Sequence, residues 1–457
     1  MRNDDGIEHP SLSVELTNVV VTNALNEDTG EKMSLLGSHH TNNISTSVLQ
    51  HADNHGMSPG SASNSQVAFN IIISFVGAGM LGIPYAFKQS GWVLGMFALA
   101  MTSTANVYAM LLLVKVRQQL ELEGHVGIQS YGDVGRIVMG PTGEKVVNVC
   151  VIISQVGFST AYLIFVAANL YSIAEIPVMY ACLGCIPVLA LLVQARDMRT
   201  LSPFSLVADI ACFAGLSAVL FQDFKSYSSS QHEVKNFDSS NLLYVVSISI
   251  YSLEGVSMIL PLESSCRKPQ DFPLLFKSVL FGLTLFMILF GSAGYLAFAE
   301  HTKAPITLNL TGSSWATFVK LALCLALYLT YPLMMFPVHG VLERHCGELA
   351  EHAGFRVTFR IFLVVMTAII AYGIPDFGKF LALAGSSILT ILGFIFPCYF
   401  HLIVYDMKNL KWWEILLDIL LIAFGIVFGA LGTYDSFCNL FIHQEASMAL
   451  ELNGNKT

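Results

Sequence analysis

Apolar runs of about twenty residues dominate this chain. From Gln66 onward they fall near 66–88, 92–114, 147–171, 177–195, 203–222, 241–262, 275–299, 315–337, 357–374, 378–402 and 414–433. Crossing ~30 Å of hydrocarbon as a helix takes ~20 such residues. Lipid offers the backbone no hydrogen-bond partners, so each crossing run must be helical. The sequence therefore predicts an all-α membrane protein of eleven transmembrane helices. Only 12% of the 457 residues are charged, against 54% apolar. That is well below the ~25% charge of soluble proteins and too little to cover globular domains of this total size.

Charge is unevenly placed. Residues 1–64 hold eight acids against Arg2 and Lys32, so most of the net charge of −9 sits in a polar tail. With few apolar residues in any period, that tail reads as disordered. It shows no basic, apolar and cleavage-site succession, so no signal peptide is expected. With the tail in the cytosol, the cytosolic loops carry fourteen lysines and arginines (Lys115, Arg117, Arg136 and Arg267 among them) against six on the other side. This is a positive-inside bias, and an odd number of spans then puts the segment 434–457 in a lumen or outside. The sequon at Asn309 falls on that same side and is a candidate glycosylation site. No basic stripe is present, so nucleic acid is not an expected partner. The nine cysteines are odd in number and scattered through apolar runs, which is no disulfide framework. Cys182 and Cys185 have CxxC spacing inside a hydrophobic run, where neither redox nor metal chemistry is expected, and no metal is assigned.

The most informative feature is a faint internal repeat. The first span contains Gly77-Ala78-Gly79-Met-Leu-Gly82-Ile-Pro84, and the sixth contains Gly255-Val-Ser-Met-Ile-Leu-Pro261. The two lie five spans apart, an odd number, so the copies must be inverted. Glycine- and proline-interrupted spans at matching places in two halves point to a transporter's binding site. The letters GxGxxG at Gly77–Gly82 also match a dinucleotide fingerprint, but Pro84 and membrane-spanning flanks stand where a strand and a helix are required. Close helix packing through small residues is the plainer alternative. The preferred reading is a broken helix with Gly82, Pro84 and Pro261 at the breaks. There the freed N–H groups and the helix-end dipole receive an anion.

Four stretches carry a family resemblance: SFVGAGMLGIPYAFKQSGW in span one, YSLEGVSMILPLESS in span six, TYPLMMFPV in span eight and LALAGSSILTILGFIFPCYFHL in span ten. Over about 66–433 the chain resembles the amino acid/auxin permease family, and within it plant vacuolar neutral amino-acid exporters of the AVT type. The resemblance implies a LeuT-like fold of two inverted five-helix repeats (66–222 and 241–402) plus an eleventh helix (414–433), making a transporter domain of 65–433. It also implies proton-coupled amino-acid movement at a vacuolar membrane, with the plasma membrane as the alternative.

On that basis the α-carboxylate of a small neutral amino acid would rest on N–H groups around Gly77, Ala78 and Gly79. Its amino group would meet carbonyls near Tyr251 to Glu254, with Ser252 and Gly255 alongside. Glu254 is the leading proton carrier, since an intramembrane carboxylate is costly and a functional candidate by default; a carboxylate bonded to unwound backbone is the structural alternative. Glu263 reads as an interfacial salt bridge beside Arg267 and Lys268, and Asp209 as a gate, a relay or a helix-pairing group. Gln155, Ser159 and Tyr162 recur at helical spacing in span three, and Tyr328, Thr330 and Tyr331 raise the same choice in span eight, between lining a path and bonding helix to helix. Gly385, Ser386 and Ser387 read as packing or gating positions.

No cofactor beyond a proton gradient is expected. Sodium coupling through oxygens of Asn70, Ser74 and Thr330 stays open, and so does an amino-acid sensor signalling through its tail. Glu31, Leu35 and Leu36 have the form of an acidic dileucine signal readable by a coat adaptor. His401 and Asp406 have the HxxxxD spacing of some acyltransferases, but no acyl pocket motif lies beside them, and the chain is not expected to be an enzyme.

Overall fold

The computed structural model describes residues 60 and 62–454, apart from 196–197, 228–232, 311–312, 348, 350–351 and 407–409. The dileucine residues Glu31, Leu35 and Leu36 lie outside this set.

Helices carry the whole architecture among the described residues; the one strand-like contact is an isolated parallel bridge between Ala62 and Cys266. In chain order the helices are α1 (Asn64–Phe75), α2 (Ile83–Ser90), α3 (Trp92–Leu122), α4 (Tyr131–Ala174), α5 (Val178–Leu192), α6 (Met198–Tyr227) and α7 (Leu242–Ser252). They continue with α8 (Val256–Ser265), α9 (Phe272–Phe298), α10 (Ser314–His345), α11 (Ala353–Gly373), α12 (Phe377–Ser386), α13 (Phe396–Val404) and α14 (Trp412–Gly454). Among the described residues nine helical segments are long and apolar enough to cross a membrane, and α1 with the helical run Ala78–Ser90, bent by 48°, makes a tenth. The predicted fourth span is α5, fifteen residues long. At 1.5 Å per residue it reaches ~22 Å, short of the hydrocarbon thickness.

Local chemistry explains the boundaries. Ser63 caps α1 in a reciprocal box with Gln66, which satisfies two orphan N–H groups at the helix start. Ser130 and Asp133 do the same for α4, which therefore starts well before its apolar run and kinks at Gly140 (φ 74°) ahead of Pro141. A left-handed backbone at that point suits glycine. The last helix does not stop at residue 433 but continues to Gly454, since nothing in that stretch is a helix breaker.

Span ten is interrupted as well. Ser387 (φ −95°, ψ −99°) ends α12, and a π-helical turn at Ile391–Ile395 precedes α13. Gly385 is a packing position: a Cβ there would stand 2.0 Å from the Ser247 carbonyl oxygen of α7.

Two sets of helices are knit separately by polar contacts. In the first, Asn106 of α3 donates to the Leu253 carbonyl between α7 and α8 at 2.7 Å, and Ser103 lies 2.5 Å from Thr284 of α9. Trp92 Nε1 donates to Ser292 of α9 at 3.0 Å. In the second, Lys320 of α10 donates to Ser172 of α4 at 2.7 Å. Tyr328 donates to the Cys185 carbonyl of α5 at 2.9 Å, and Tyr331 is 2.6 Å from Thr367 of α11.

Candidate functional site

Both glycine-marked spans are broken, and the breaks meet. In span one, α1 ends at Phe75, Gly77 is extended (φ −152°, ψ −163°), and a 3₁₀ turn over Ala78–Gly82 leads into α2. In span six, α7 ends at Ser252 and α8 starts after Gly255. The two unwound stretches touch twice. A Cβ on Gly79 would stand 2.7 Å from Ser252 Cα, and one on Gly255 would stand 2.4 Å from the Phe75 ring.

The break residues differ from the expected ones. Gly82 closes the 3₁₀ turn and Pro84 sits in the first turn of α2. Proline is tolerated there because its ring presets the helical φ where the 3₁₀ turn passes into α-helix. Pro261 lies inside α8, six residues past Gly255, and removes the N–H that would bond the Ser257 carbonyl.

A cavity of about 160 Å³ opens at this crossing, room for about five waters at ~30 Å³ each and so for a small organic molecule. It is lined by Gly77, Ala78, Gly79, Gln155, Tyr162, Tyr251, Ser252, Glu254 and Gly255, all of them predicted. Asn70, Ser74, Asp209 and Thr330 share its walls. From the crossing it extends along α6 and α8 as far as Ser205, Leu262 and Ser265. On the opposite side the bundle is filled, with Tyr85 stacked edge-on against Tyr244 at 5.8 Å and Phe165 against Phe377 at 5.8 Å.

The surroundings are acidic and polar without a base. No lysine, arginine or histidine lines the cavity among the described residues, whereas Asp209 and Glu254 both do. Glu254 Oε1 and the hydroxyl of Tyr251 are buried with no hydrogen-bond partner among the described residues. Buried polar atoms are normally paired, so such atoms at a cavity wall mark a place prepared for a ligand or a proton. Two helix N-termini (Ala78 and Val256) and two C-termini (Phe75 and Ser252) converge here. An anion is favoured at the first pair and a cation at the second.

Other residues singled out from the sequence lie away from the cavity. Tyr331 is fully buried against Thr367 and does not reach the cavity, where Thr330 lines the wall instead. Tyr328 bonds α5, and Ser159 is buried away from the cavity. Glu263 pairs with Arg117 and with Gln118 (2.9 Å) of α3 rather than with Arg267 or Lys268. Helical spacing carries its side chain toward α3 and not along the chain. His401 faces Asp418 at 2.7 Å rather than Asp406, and His401 is 1% exposed, which rules out the acyltransferase arrangement. Asn309 sits in a 3₁₀ turn, its carboxamide accepting from Lys303 N and donating to the His301 carbonyl, both at 2.8 Å. Among the described residues no group of three or more metal-ligating side chains exists.

Sequence reasoning passed over Asn106, Phe158 and Phe75. An amide inside an apolar span is a signal that could have found the first. The two aromatics are visible only once the breaks are folded together: Phe158 packs on Tyr251 at 4.9 Å, and Phe75 covers Gly255.

Residues 60–438 match the family described as transmembrane amino acid transporter protein. Amino acid transporter AVT3C of Arabidopsis thaliana is 34% identical over 410 residues, 84% of this chain and 93% of that one. Amino acid transporter AVT3A of the same plant is 35% identical over 378 residues, 80% and 87% of the two chains. Vacuolar amino acid transporter 3 of Saccharomyces cerevisiae is 27% identical, covering 84% of this chain and 57% of its own length. In fold, the chain is similar to Mhp1 in its inward-facing conformation, with a TM-score of 0.55 at 11% identity over 83% of this chain and 92% of that one. The family match over most of the chain and the relatives at 34–35% identity show that the chain belongs to the amino acid/auxin permease family of transmembrane amino acid transporters, a family of transporters and not of enzymes.

Proposed function

We propose that the chain is a proton-coupled secondary transporter of small neutral amino acids, placed in the vacuolar membrane and delivering its substrate to the cytosol. The observation that carries this reading is the crossing of two broken spans at a cavity lined by acids but by no base among the described residues. With no cationic side chain to hold it, a substrate carboxylate is left to the N–H groups at the starts of the second half-helices, and an ammonium group to the carbonyls that end the first halves. Glu254 lies between the two, and an ionised carboxylate left unpaired there is expensive. Binding a proton removes that cost, which ties substrate occupancy to proton occupancy.

Architecture supports the same reading. The two broken spans lie in segments 66–222 and 241–402, which we read as inverted five-helix repeats, α5 completing the first, with 414–433 as the eleventh span. The helices around the breaks (α1–α3 and α7–α9) then rock against the rest to alternate access. The basic bias of the loops favours a cytosolic N-terminus and a lumenal C-terminus. Relatives named as vacuolar transporters favour the vacuole.

Sodium coupling has one observation behind it: Asn70, Ser74 and Thr330 line one cavity. Purified protein in proteoliposomes separates the readings. Uptake of a panel of amino acids is measured with a proton gradient, with external sodium and with choline in its place. Accumulation driven by protons and indifferent to choline is expected. Glu254→Gln should exchange amino acid but lose proton-driven accumulation; full accumulation with unchanged pH dependence would remove the carrier role.

A further inference from the structure

A second buried polar cluster lies away from the cavity, where α3 meets α13 and α14. Asp418 of α14 is fully buried, with His401 Nδ1 of α13 2.7 Å from Oδ2 and the Tyr108 hydroxyl of α3 donating to Oδ1 at 3.1 Å. An ionised carboxylate only accepts hydrogen bonds, so Nδ1 carries the proton in that pair and Nε2 is the atom that gains or loses another.

Position gives the cluster its meaning. α3 is bound through Asn106 and Arg117 to the broken sixth span and through Ser103 to α9. The turn leading into α13 is bound to α4, whose Tyr131 donates to the Leu392 carbonyl at 3.0 Å and packs edge-on against Phe396 and Phe400. Asp418 therefore bridges a helix anchored at the site to helices anchored elsewhere. Toward the helix ends the same seam holds a 3.3 Å bond from the Tyr405 hydroxyl to the Lys115 carbonyl and a partly exposed Lys115–Glu414 pair at 4.0 Å. The exposed pair contributes little.

We propose that His401, Asp418 and Tyr108 form a proton-operated latch that holds α3 against α13 and α14 when His401 is neutral and releases it when His401 is protonated. The inference rests on the transporter reading, in which α3 moves with the broken spans, and adds a proton site separate from Glu254. With neutral His401, Asp418 bears its whole negative charge, and a hydrogen bond to an anion is about twice as strong as a neutral one. A proton on His401 makes an imidazolium–carboxylate pair, draws that charge away and weakens the Tyr108 bond.

Titratable and charged groups reach this seam from every element packed against it. Tyr131 comes from α4, Tyr108 and Lys115 from α3, Glu123 from the end of α3, Cys398 from α13, Tyr405 from the end of α13, and Glu414 from α14. Tyr131 and Tyr405 already donate to carbonyls, and Lys115 pairs with Glu414.

The test uses the full chain in proteoliposomes at about pH 5.5 and about pH 7.5, either side of the ordinary histidine value. His401→Asn keeps an amide donor toward Asp418 but binds no proton. It should match wild type at the higher pH and lose most of the several-fold rise in exchange rate at the lower. Tyr108→Phe should be fast at both. In detergent, deuterium exchange of α3 amides around Tyr108, corrected for intrinsic pH dependence, should rise several-fold on acidification in wild type and stay flat in His401→Asn. If His401→Asn does not fold, His401→Gln takes its place. A wild-type pH profile and wild-type deuterium exchange in the substituted protein overturn the latch, as does a Tyr108→Phe protein still slow at the higher pH. A wild type that moves no amino acid overturns the transport reading instead, and the deuterium arm still decides the latch.

Discussion

The breaks in spans one and six occupy matching places but are held open by different means. Span one is held by shape: Gly79 lies against Ser252, with no room for one more carbon atom, and Gly82 packs under Leu381 and Ile248. Span six adds polarity to shape: Gly255 lies under the Phe75 ring, and Asn106, buried on α3, donates 2.7 Å to the Leu253 carbonyl at the break. The first break offers a ligand bare backbone, while the second adds a carboxylate, Glu254. In the transport function proposed above, the first break supplies the grip on the substrate and the second the coupling group.

The largest effect should come from filling the steric contact. In Gly79→Ala the new Cβ would lie 2.7 Å from Ser252 Cα and 2.8 Å from its Oγ, and backbone cannot step aside as a side-chain tip can. Overpacking of this kind costs ~1–3 kcal/mol. Transport should fall to background, with a lower melting temperature. Gly157→Ala, with open space around its Cβ, is the matched control and should behave as wild type. An active Gly79→Ala protein would break the claim that shape holds the first break.

A smaller effect is expected from the polar side of the comparison. Asn106→Leu leaves the Leu253 carbonyl without its donor, at a cost of ~1–3 kcal/mol for an orphaned buried group. Exchange should drop several-fold while the protein still folds, and thermal melting together with initial rates would show both. Equal losses in stability and rate for Asn106→Leu and Gly79→Ala would erase the distinction between the two breaks.

Much of this was legible in the sequence, for physical reasons. Apolar runs are imposed by the bilayer, and glycine beside proline in such a run is conspicuous, so most spans, the two broken ones among them, and about half of the cavity lining could be read directly. The exact break could not, because Pro84 and Pro261 are tolerated inside helices whose starts are set elsewhere, at Ala78 and Val256. The interruption at Ser387 carries no proline and depends on Thr390 bonding back to the Gly385 carbonyl at 2.7 Å. Partners across helices were beyond reach: nothing local distinguishes Asp418 from Asp406 as the acid facing His401, or Arg117 from Arg267 as the base facing Glu263.

The smallest effect should sharpen the comparison most. Gly77 has an extended backbone that any residue adopts, and a Cβ there would find Tyr162 Oη at 3.9 Å, an ordinary contact. Gly77→Ala should therefore fold as wild type, within ~0.5 kcal/mol, while placing one methyl group inside the cavity. A single methylene in an apolar pocket discriminates substrates by ~1–3 kcal/mol. If Gly77 lies beside the substrate's side chain, rates for larger amino acids should fall while alanine is spared. If it lies beside the carboxylate, all rates should fall together. Either outcome keeps the first break in contact with substrate and says which end it grips. An unchanged panel in a well-folded protein would take Gly77 off the contact surface, and leave the carboxylate to the N-terminus of α8 alone.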